Sequence, residues 1–216
     1  TSPPPVDKTP LKTASLALGH QEGKRALLKQ MNADDIDRTA FLEGFLKGLN
    51  GESLDLSVEE ILEAMSELQT RIKTRELETA KANKLAEEEF FKENAKASNV
   101  IQSDSGMQYR IVERGQGEPF GLEALEDHQI LLHYRGTLPD GREFTASNDD
   151  APVKIKIAET IPGFREALAK MRPGAKWVVY VPSSLAYGDQ RHSDMIGPNQ
   201  MLIFEISSIE ILPPEK

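Results

Sequence analysis

Residues 128–141 have the sequence HQILLHYRGTLPDG, in which a mostly apolar run is followed by a Leu-Pro-Asp-Gly turn. A run of this kind, closed by Pro, Asp and Gly, predicts a β-strand and the turn that ends it. A short helix is predicted from Phe164 to Met171, because apolar residues recur there on one face. We therefore expect an α+β protein whose second half is an antiparallel sheet wrapped on a short helix. The other predicted strands are Met107–Val112, Val153–Ile157, Trp177–Val181 and Met201–Ile211.

The first half of the chain predicts only helices. Glu, Lys, Ala and Leu dominate it, and no Pro occurs between Pro10 and residue 100. One helix is predicted at about residues 12–31, and a second from Asp34 or Asp35 to Leu49. The expected organisation is a disordered arm at 1–11, an all-helical dimerisation domain at 12–56, a long linker or stalk helix at 57–98, and a sheet domain at 105–213.

The third predicted helix begins at Ser57, which forms a capping-box pattern with Glu60, and no Gly or Pro follows until Gly106. It would contain about 40 residues and extend on the order of 60 Å. Its first part has an apolar stripe that predicts packing, whereas its charged second part predicts a stalk through solvent. The acidic run at 87–89 is expected on a solvated face of that stalk. The alternative is two ordinary helices broken near Asn83.

Two pairs of glycines lie at i,i+4 within the first two predicted helices, Gly19 with Gly23 and Gly44 with Gly48. Each interior Gly costs about 1 kcal/mol relative to Ala. Either tertiary packing tolerates them or two backbones approach closely there. A helical segment of about 70 residues has little core of its own, so its apolar stripe needs a partner. We expect a homodimer formed through the N-terminal helices.

The composition excludes several classes of function. The formal net charge of -9 argues against nucleic-acid binding. The chain has no Cys, which excludes disulfides, thiolate catalysis and Cys-ligated zinc. The sequence has no apolar run of about 18 residues, so no membrane span is predicted. No metal site is expected, because the four His residues have no metal-ligand spacing: His20, His128, His133 and His192.

Four motifs in the second half have a recognisable order and spacing. Together they resemble the family of FKBP-type peptidyl-prolyl cis-trans isomerases. The helical first half is similar in architecture to the Mip and FkpA-like bacterial subfamily, which has a dimerisation module, a stalk helix and a C-terminal isomerase domain. The motifs are His133-Tyr134-Arg135-Gly136-Thr137-Leu138 with Asp140-Gly141 and Phe144, then Ile161-Pro162-Gly163-Phe164, Leu185-Ala186-Tyr187-Gly188, and Leu202-Ile203-Phe204-Glu205-Ile206.

The resemblance implies an isomerase that assists the folding of proline-containing proteins. Amide rotation faces a barrier of about 18–20 kcal/mol, and an aromatic pocket that strips water from the amide favours the twisted, less polar transition state. No cofactor, nucleophile or general base is required. The resemblance places six catalytic residues around the proline ring: Tyr134, Phe144, Ile161, Phe164, Tyr187 and Phe204. It gives substrate contacts to Thr145, Val153, Ile155, Thr160, His192 and Ile196.

The chain departs from the family pattern at several of these positions. Thr145 replaces the usual acidic residue, Phe164 the usual Trp, and Gly197-Pro198 a Pro-Pro pair. Aliphatic Val153 and Ile155 replace aromatic residues. The loss of a charged acceptor at Thr145 implies weak binding of rapamycin-type macrolides. The smaller Phe floor and the aliphatic walls still leave an apolar cavity, so isomerase activity is expected to survive at a reduced level. A holdase chaperone or protein-binding module with a weakened pocket is the alternative function.

The expected compartment is the periplasm or the bacterial outer surface, and the cytoplasm is the alternative. The absence of Cys suits an oxidising compartment. The first residues, Thr1-Ser2-Pro3-Pro4-Pro5, predict a processed mature chain or a trimmed one.

Overall fold

The computed structural model describes residues 10–28, 31–121, 129–147 and 151–212. The chain divides into two compact units, Thr1–Glu76 and Leu77–Lys216. The described part of the first unit is helical, whereas the second contains a sheet and a short helix. The α+β fold class predicted from the sequence is confirmed. Residues 1–9 of the predicted disordered arm lie outside the described residues.

The first unit contains α1 (Pro10–Leu28), a 3-10 turn (Ala33–Asp35), α2 (Arg38–Asn50) and the first part of α3 (Val58–Asn94). The prediction that α2 begins at Asp34 or Asp35 is wrong. Those residues belong to the 3-10 turn, which has its own capping box, and extended backbone at Ile36 separates it from α2. The side chain of Asp37 caps α2 instead, by accepting hydrogen bonds from two backbone N–H groups.

An ion pair ties the 3-10 turn to α3 within the first unit. Nη1 of Arg75 lies 2.7 Å from both carboxylate oxygens of Asp35, whose side chain has no exposed area. Burial acts to raise the pKa of Asp35. The pKa of Asp35 is nevertheless lowered, because its carboxylate accepts hydrogen bonds from Arg75 and from the backbone N–H of Asn32. The positive charges of Arg75 and Arg71 add to this effect. The carboxylate therefore stays ionised and paired at neutral pH.

The prediction of a single long third helix is confirmed. α3 contains 37 residues without a break near Asn83. Its start follows the predicted capping box, since the Glu60 carboxylate accepts from both the N–H and the hydroxyl of Ser57. Among the described residues, nothing beyond the neighbouring backbone of the same helix lies within 4 Å of a Cβ built at any of the four helical glycines that the sequence singled out. Among the described residues, no helix is both long and apolar enough to cross a bilayer.

The second part of α3 packs against the sheet, so the prediction that it crosses solvent is wrong. The ring of Phe90 lies 5.5 Å from that of Tyr180 on the sheet. Glu87 is only 4% exposed, and its carboxylate accepts the N–H of Ser183 at 2.6 Å. The two acidic residues that follow it are exposed as predicted. The high charge of this segment concealed a contact face, because a buried carboxylate can be satisfied by a backbone donor.

The sheet of the second unit is antiparallel, and its strands follow the order β1-β2-β6-β7-β3-β4, with β5 paired to β3. Two strands had not been predicted: β1, which is short, and β4, which follows the Asp140-Gly141 turn. The strands are β1 (Ile101–Gln102), β2 (Gln108–Glu113), β3 (Gln129–Thr137), β4 (Glu143–Ala146), β5 (Val153–Lys156), β6 (Lys176–Val181) and β7 (Leu202–Leu212).

The core lies between this sheet and α4 (Pro162–Lys170). Alternate residues of β6 are buried, and the same alternation in β7 buries Leu202, Phe204 and Ile206. α4 begins with Pro at its first position and buries one face. Trp177 is 4% exposed and stacks on Tyr109 with ring centroids 4.3 Å apart, so it packs within the sheet.

Gly115 is a position where the fold has no room for a side chain. It has a φ of +71°, and a Cβ there would lie 2.5 Å from the carbonyl oxygen of Pro173 and 2.7 Å from the nitrogen of Ala175. Gly117 has a similar φ of +74°, and no described residue beyond its chain neighbours approaches within 4 Å of a Cβ built there. We expect Gly115→Ala to lower the free energy of unfolding by about 2–4 kcal/mol, because backbone overlap adds to the cost of the left-handed conformation. Gly117→Ala should cost only about 1 kcal/mol.

Urea unfolding followed by the fluorescence of Trp177, the one Trp in the chain, measures both values. Equal unfolding midpoints for the two variants would contradict a steric constraint at Gly115.

Candidate functional site

Four aromatic rings make a connected cluster at one end of the core. Phe204 on β7 lies 5.1 Å from Phe164 on α4 and 5.7 Å from Phe144 on β4, both in edge-to-face geometry. Tyr134 on β3 lies 5.9 Å from Phe164, also edge-to-face. Such pairs are favourable beyond the area they bury, because the positive edge of one ring meets the negative face of the other. The cluster is therefore a rigid apolar surface contributed by three strands and a helix.

Gly136 allows one of these rings to reach the cluster. A Cβ built at Gly136 would lie 2.6 Å from the ring of Phe144 and 2.8 Å from the Cγ2 of Thr145. Gly136 pairs with Thr145 on β4 and with Phe204 on β7. Because Gly136 has no side chain, the Phe144 ring can lie across β3 towards Phe204.

The cluster borders an open cavity of about 1030 Å³. All of the predicted site residues line this cavity except Val153. Val153 and Ile155 both pack against the core, but of the two only Ile155, two residues further along β5, lines the cavity. Phe164 is 3% exposed and Phe204 5%, so their rings are mostly covered by the core. The predicted residues that line the cavity are Tyr134, Phe144, Thr145, Ile155, Thr160, Ile161, Phe164, Tyr187, His192, Ile196 and Phe204.

Two hydrogen-bond donors border the cavity beside these rings. Tyr187 stacks on His192 with ring centroids 3.6 Å apart and an interplanar angle of 11°. Burial raises the pKa of the Tyr187 phenol, and the nearby Tyr134 adds to the effect, so the hydroxyl stays protonated at neutral pH. Ile161 precedes α4 with extended backbone. Among the described residues, neither the Tyr187 hydroxyl nor the Ile161 N–H has a hydrogen-bond partner.

Sequence reasoning missed several polar residues that also line the cavity. Lys154 and Lys156 alternate with Ile155 along β5, and Lys156 lies 3.6 Å from Glu159. The alternation in the sequence places these lysines at the predicted strand, but only the pairing of β5 with β3 brings them to the cavity. The other missed lining residues are Gln129, Glu159, Ser193, Asp194 and the apolar Met195.

In the part of the chain that the structure describes, the polar groups near the rings form neither a nucleophile–base pair nor a metal centre. The Tyr134 hydroxyl and Thr145 Oγ1 share a hydrogen bond of 3.2 Å at the cavity wall. Within the described residues, no three His, Asp or Glu side chains come together as metal ligands. The cavity can therefore supply apolar surface, desolvation and single hydrogen-bond donors.

Comparisons with known proteins agree with this arrangement. The model of the domain amino-terminal to FKBP-type peptidyl-prolyl isomerases matches residues 11–111, and that of the FKBP-type peptidyl-prolyl cis-trans isomerase matches residues 122–209. The "Probable FKBP-type peptidyl-prolyl cis-trans isomerase FkpA" of Neisseria meningitidis is 33% identical over 95% of this chain and 76% of its own length. The "Outer membrane protein MIP" of Legionella longbeachae is 32% identical over 82% of this chain and 76% of its own length.

A solved structure supports the same assignment. The crystal structure of FkpA from Escherichia coli matches with a TM-score of 0.64 and 26% identity, and it covers 97% of this chain and all of that one. The match extends over the helical half as well as the sheet, which agrees with the architecture expected from the sequence. With a relative one-third identical over nearly the whole chain, and with both halves matched by family models, this chain belongs to the family of FKBP-type peptidyl-prolyl cis-trans isomerases.

Proposed function

We propose that the aromatic cavity is the active site at which this isomerase twists X-Pro amides of folding proteins. The observation that carries the proposal is the edge-to-face cluster around Phe204, which borders an open cavity large enough for a proline and its neighbours. Amide resonance separates charge, so water stabilises the planar ground state more than the twisted transition state. Binding the proline ring against the rings of Phe164 and Phe204 removes that water and favours the transition state.

Single hydrogen bonds orient the substrate in this mechanism. The Tyr187 hydroxyl and the Ile161 N–H would each donate to a substrate carbonyl, which is supported by their lack of other acceptors among the described residues. The raised pKa of Tyr187 keeps its proton available at neutral pH. No bond is made or broken, so the enzyme needs neither a general base nor a nucleophile. Thr160, His192 and Ile196 complete the substrate contacts at the border of the cavity.

Self-association is the second part of the proposal. In the first unit, α2 and the start of α3 carry large apolar side chains that remain mostly exposed within one chain. The rings of Phe41 and Phe45 stack on this surface with centroids 6.4 Å apart. A second copy of the chain would cover it and form a homodimer through residues 12–56 and the adjoining part of α3. The exposed residues are Phe41, Leu42, Phe45, Leu46, Leu49, Val58, Ile61, Leu62 and Met65.

The same exposed surface favours a second candidate function, holding unfolded clients without catalysis. Apolar side chains that are open to solvent can bind exposed segments of other proteins. The two functions are separable, because holding would depend on the helices and isomerisation on the cavity.

The proposed location is the periplasm or the bacterial surface, where a chain without Cys has no thiol to oxidise. The relative from Legionella longbeachae is named an outer membrane protein, which supports this location. Cell fractionation of the bacterium tests the location.

Conservative changes in the cavity test the active site. We expect Tyr187→Phe to lower kcat/KM for a proline peptide by about 3- to 30-fold, because a hydrogen bond to the substrate is lost. Phe204→Leu should lower it further, since the edge-to-face contacts with Phe164 and Phe144 are lost. Tyr180→Phe is the matched control, because Tyr180 lies on β6 outside the cavity. The assay is protease-coupled peptide isomerisation, with suppression of client aggregation measured in parallel.

Loss of turnover with unchanged suppression of aggregation would assign holding to the helices. Wild-type turnover in both cavity variants would refute the proposed site.

Macrolide binding depends on the group at position 145. A rapamycin-type ligand is proposed to bind only weakly, since the Thr145 hydroxyl already shares a hydrogen bond with Tyr134 and has no charge. Thr145→Asp should raise the affinity about tenfold or more, because a charged acceptor makes a stronger hydrogen bond. Thr145→Asn is the control of equal size without charge, and calorimetric titration gives both affinities. Equal affinities for the two variants would rule out the charge as the cause.

The dimer is tested by placing a charge on the exposed apolar surface. The native chain should have the solution mass of two copies, and Phe45→Asp should have the mass of one, because a buried unpaired carboxylate at the interface is costly. Glu63→Lys is the control, since helical spacing puts Glu63 on the opposite side of α3 from Ile61 and Met65. Light scattering after size-exclusion chromatography measures the mass. A native monomer would be incompatible with the proposed dimer.

A further inference from the structure

The loop from Gly188 to Asn199 carries one wall of the aromatic cavity. His192, Met195 and Ile196 line the cavity from this loop, beside Tyr187. Ile196 is 3% exposed, so it is a packed part of the wall. The loop contains no helix or strand of its own. Its position is therefore set by the packing of Ile196 in the core and by hydrogen bonds at particular residues, rather than by a regular ladder.

Part of that support lies within the loop. The N–H of Asn199 donates to the carbonyl of Gly188 at 2.7 Å and closes the two ends on each other. The N–H groups of His192 and Ser193 donate to the carbonyl of Ile196 at 2.9 and 3.2 Å. Asn199 has a φ of +51°, in the left-handed region that Asn tolerates better than most residues. These bonds give the loop its shape without attaching it to the rest of the protein.

The attachment comes from α3. Nδ2 of Asn83 donates to the carbonyl of Pro198 at 2.8 Å, and Nδ2 of Asn199 donates to the carbonyl of Ala80 at 3.3 Å. A Cβ built at Gly197 would lie 3.4 Å from both the Asn83 amide nitrogen and the Thr79 side chain, so the loop backbone lies directly against the helix. Two hydrogen bonds in opposite directions thus join one turn of α3 to the end of the loop.

None of the described residues that line the cavity belongs to α3. The helix nevertheless fixes the loop whose side chains form the cavity wall. We infer that Asn83 and Asn199 are positioning residues of the isomerase: through the Asn83–Pro198 and Asn199–Ala80 hydrogen bonds, α3 holds the Gly188–Asn199 loop in its substrate-binding arrangement. This inference rests on the proposed function of the cavity as the active site.

The expected kinetic consequence follows from the entropy of the loop. When α3 no longer holds it, the loop has to be ordered each time a substrate binds, and this cost weakens binding. Ground state and transition state both need the ordered wall, so the cost raises KM and leaves kcat nearly unchanged. A general loss of stability would instead lower the fraction of folded enzyme, which reduces the apparent kcat at constant KM.

Two variants remove the hydrogen bonds with little other change. Asn83→Asp keeps the size and shape of the side chain, but a carboxylate cannot donate to the carbonyl of Pro198. Asn199→Gly keeps the left-handed backbone and removes only the side-chain bond to Ala80. Lys81→Ala is the matched control, because Lys81 is an exposed neighbour on the same turns of α3.

Steady-state kinetics on a proline peptide, run well below the melting temperature of every variant, test the inference in the full-length protein. We expect Asn83→Asp and Asn199→Gly each to raise KM by about three- to tenfold with little change in kcat. The double variant should show less than the product of the two single effects, because both bonds hold the same loop. Lys81→Ala should keep the native KM. Hydrogen exchange at the backbone N–H of Asn199 should become faster in the Asn83→Asp variant.

A native KM in both single variants would overturn the inference, whether or not their melting temperatures fall. That result is distinguishable from a failure of the proposed site. Tyr187→Phe and Phe204→Leu would still impair turnover if only this inference failed, and would have no effect if the cavity were not the active site.

Discussion

The register of β7 between β3 and β6 is the constraint on which the cavity depends. Phe204 pairs with Gly136 on one side and with Val179 on the other. In this register its ring points into the core and meets the rings of Phe164 and Phe144 at 5.1 and 5.7 Å. A slip of one residue would turn Phe204 to the opposite face of the sheet. The substrate surface is therefore set by backbone pairing at the centre of the sheet, and the loops complete it.

α3 shows that one helix can have different roles along its length. In the first unit its apolar residues Val58 and Leu62 are exposed, whereas in the second unit its charged segment contributes a buried Glu87 and a half-buried Phe90. The buried carboxylate is satisfied by the N–H of Ser183 and by Lys84 at 2.7 Å. Burial of a charge is tolerated where such partners are present. Local composition alone was thus a poor guide to which part of the helix packs within the chain.

The departures from the family pattern have separate structural consequences. Phe164 still provides a buried ring in the cluster, so a smaller aromatic residue keeps the apolar floor. Of the two aliphatic residues on β5 that replace aromatic ones, Ile155 lines the cavity and Val153 does not, although both pack against the core. At Gly197-Pro198 the loop lies against α3, and the carbonyl of Pro198 accepts a hydrogen bond from Asn83. This departure coincides with a contact that the sequence did not indicate.

The sequence by itself determined the order and type of most elements. Short apolar runs bounded by turn residues predicted the strands, the capping box at Ser57 and Glu60 predicted the start of α3, and four motifs in register predicted the family. These signals are local, since each depends on a few residues close together in the chain. The sequence also named most of the residues that line the cavity, because the motifs carry them in fixed positions.

Only the tertiary structure decided where the charged part of α3 lies and what holds the cavity wall. The hydrogen bonds from Asn83 to Pro198 and from Ser183 to Glu87 join residues about a hundred positions apart. No periodicity or composition in either segment marks such a pair, because each partner is an ordinary polar group in its own stretch of sequence. The contacts arise when the sheet folds and presents backbone donors and acceptors to the helix, which satisfies them at short distance.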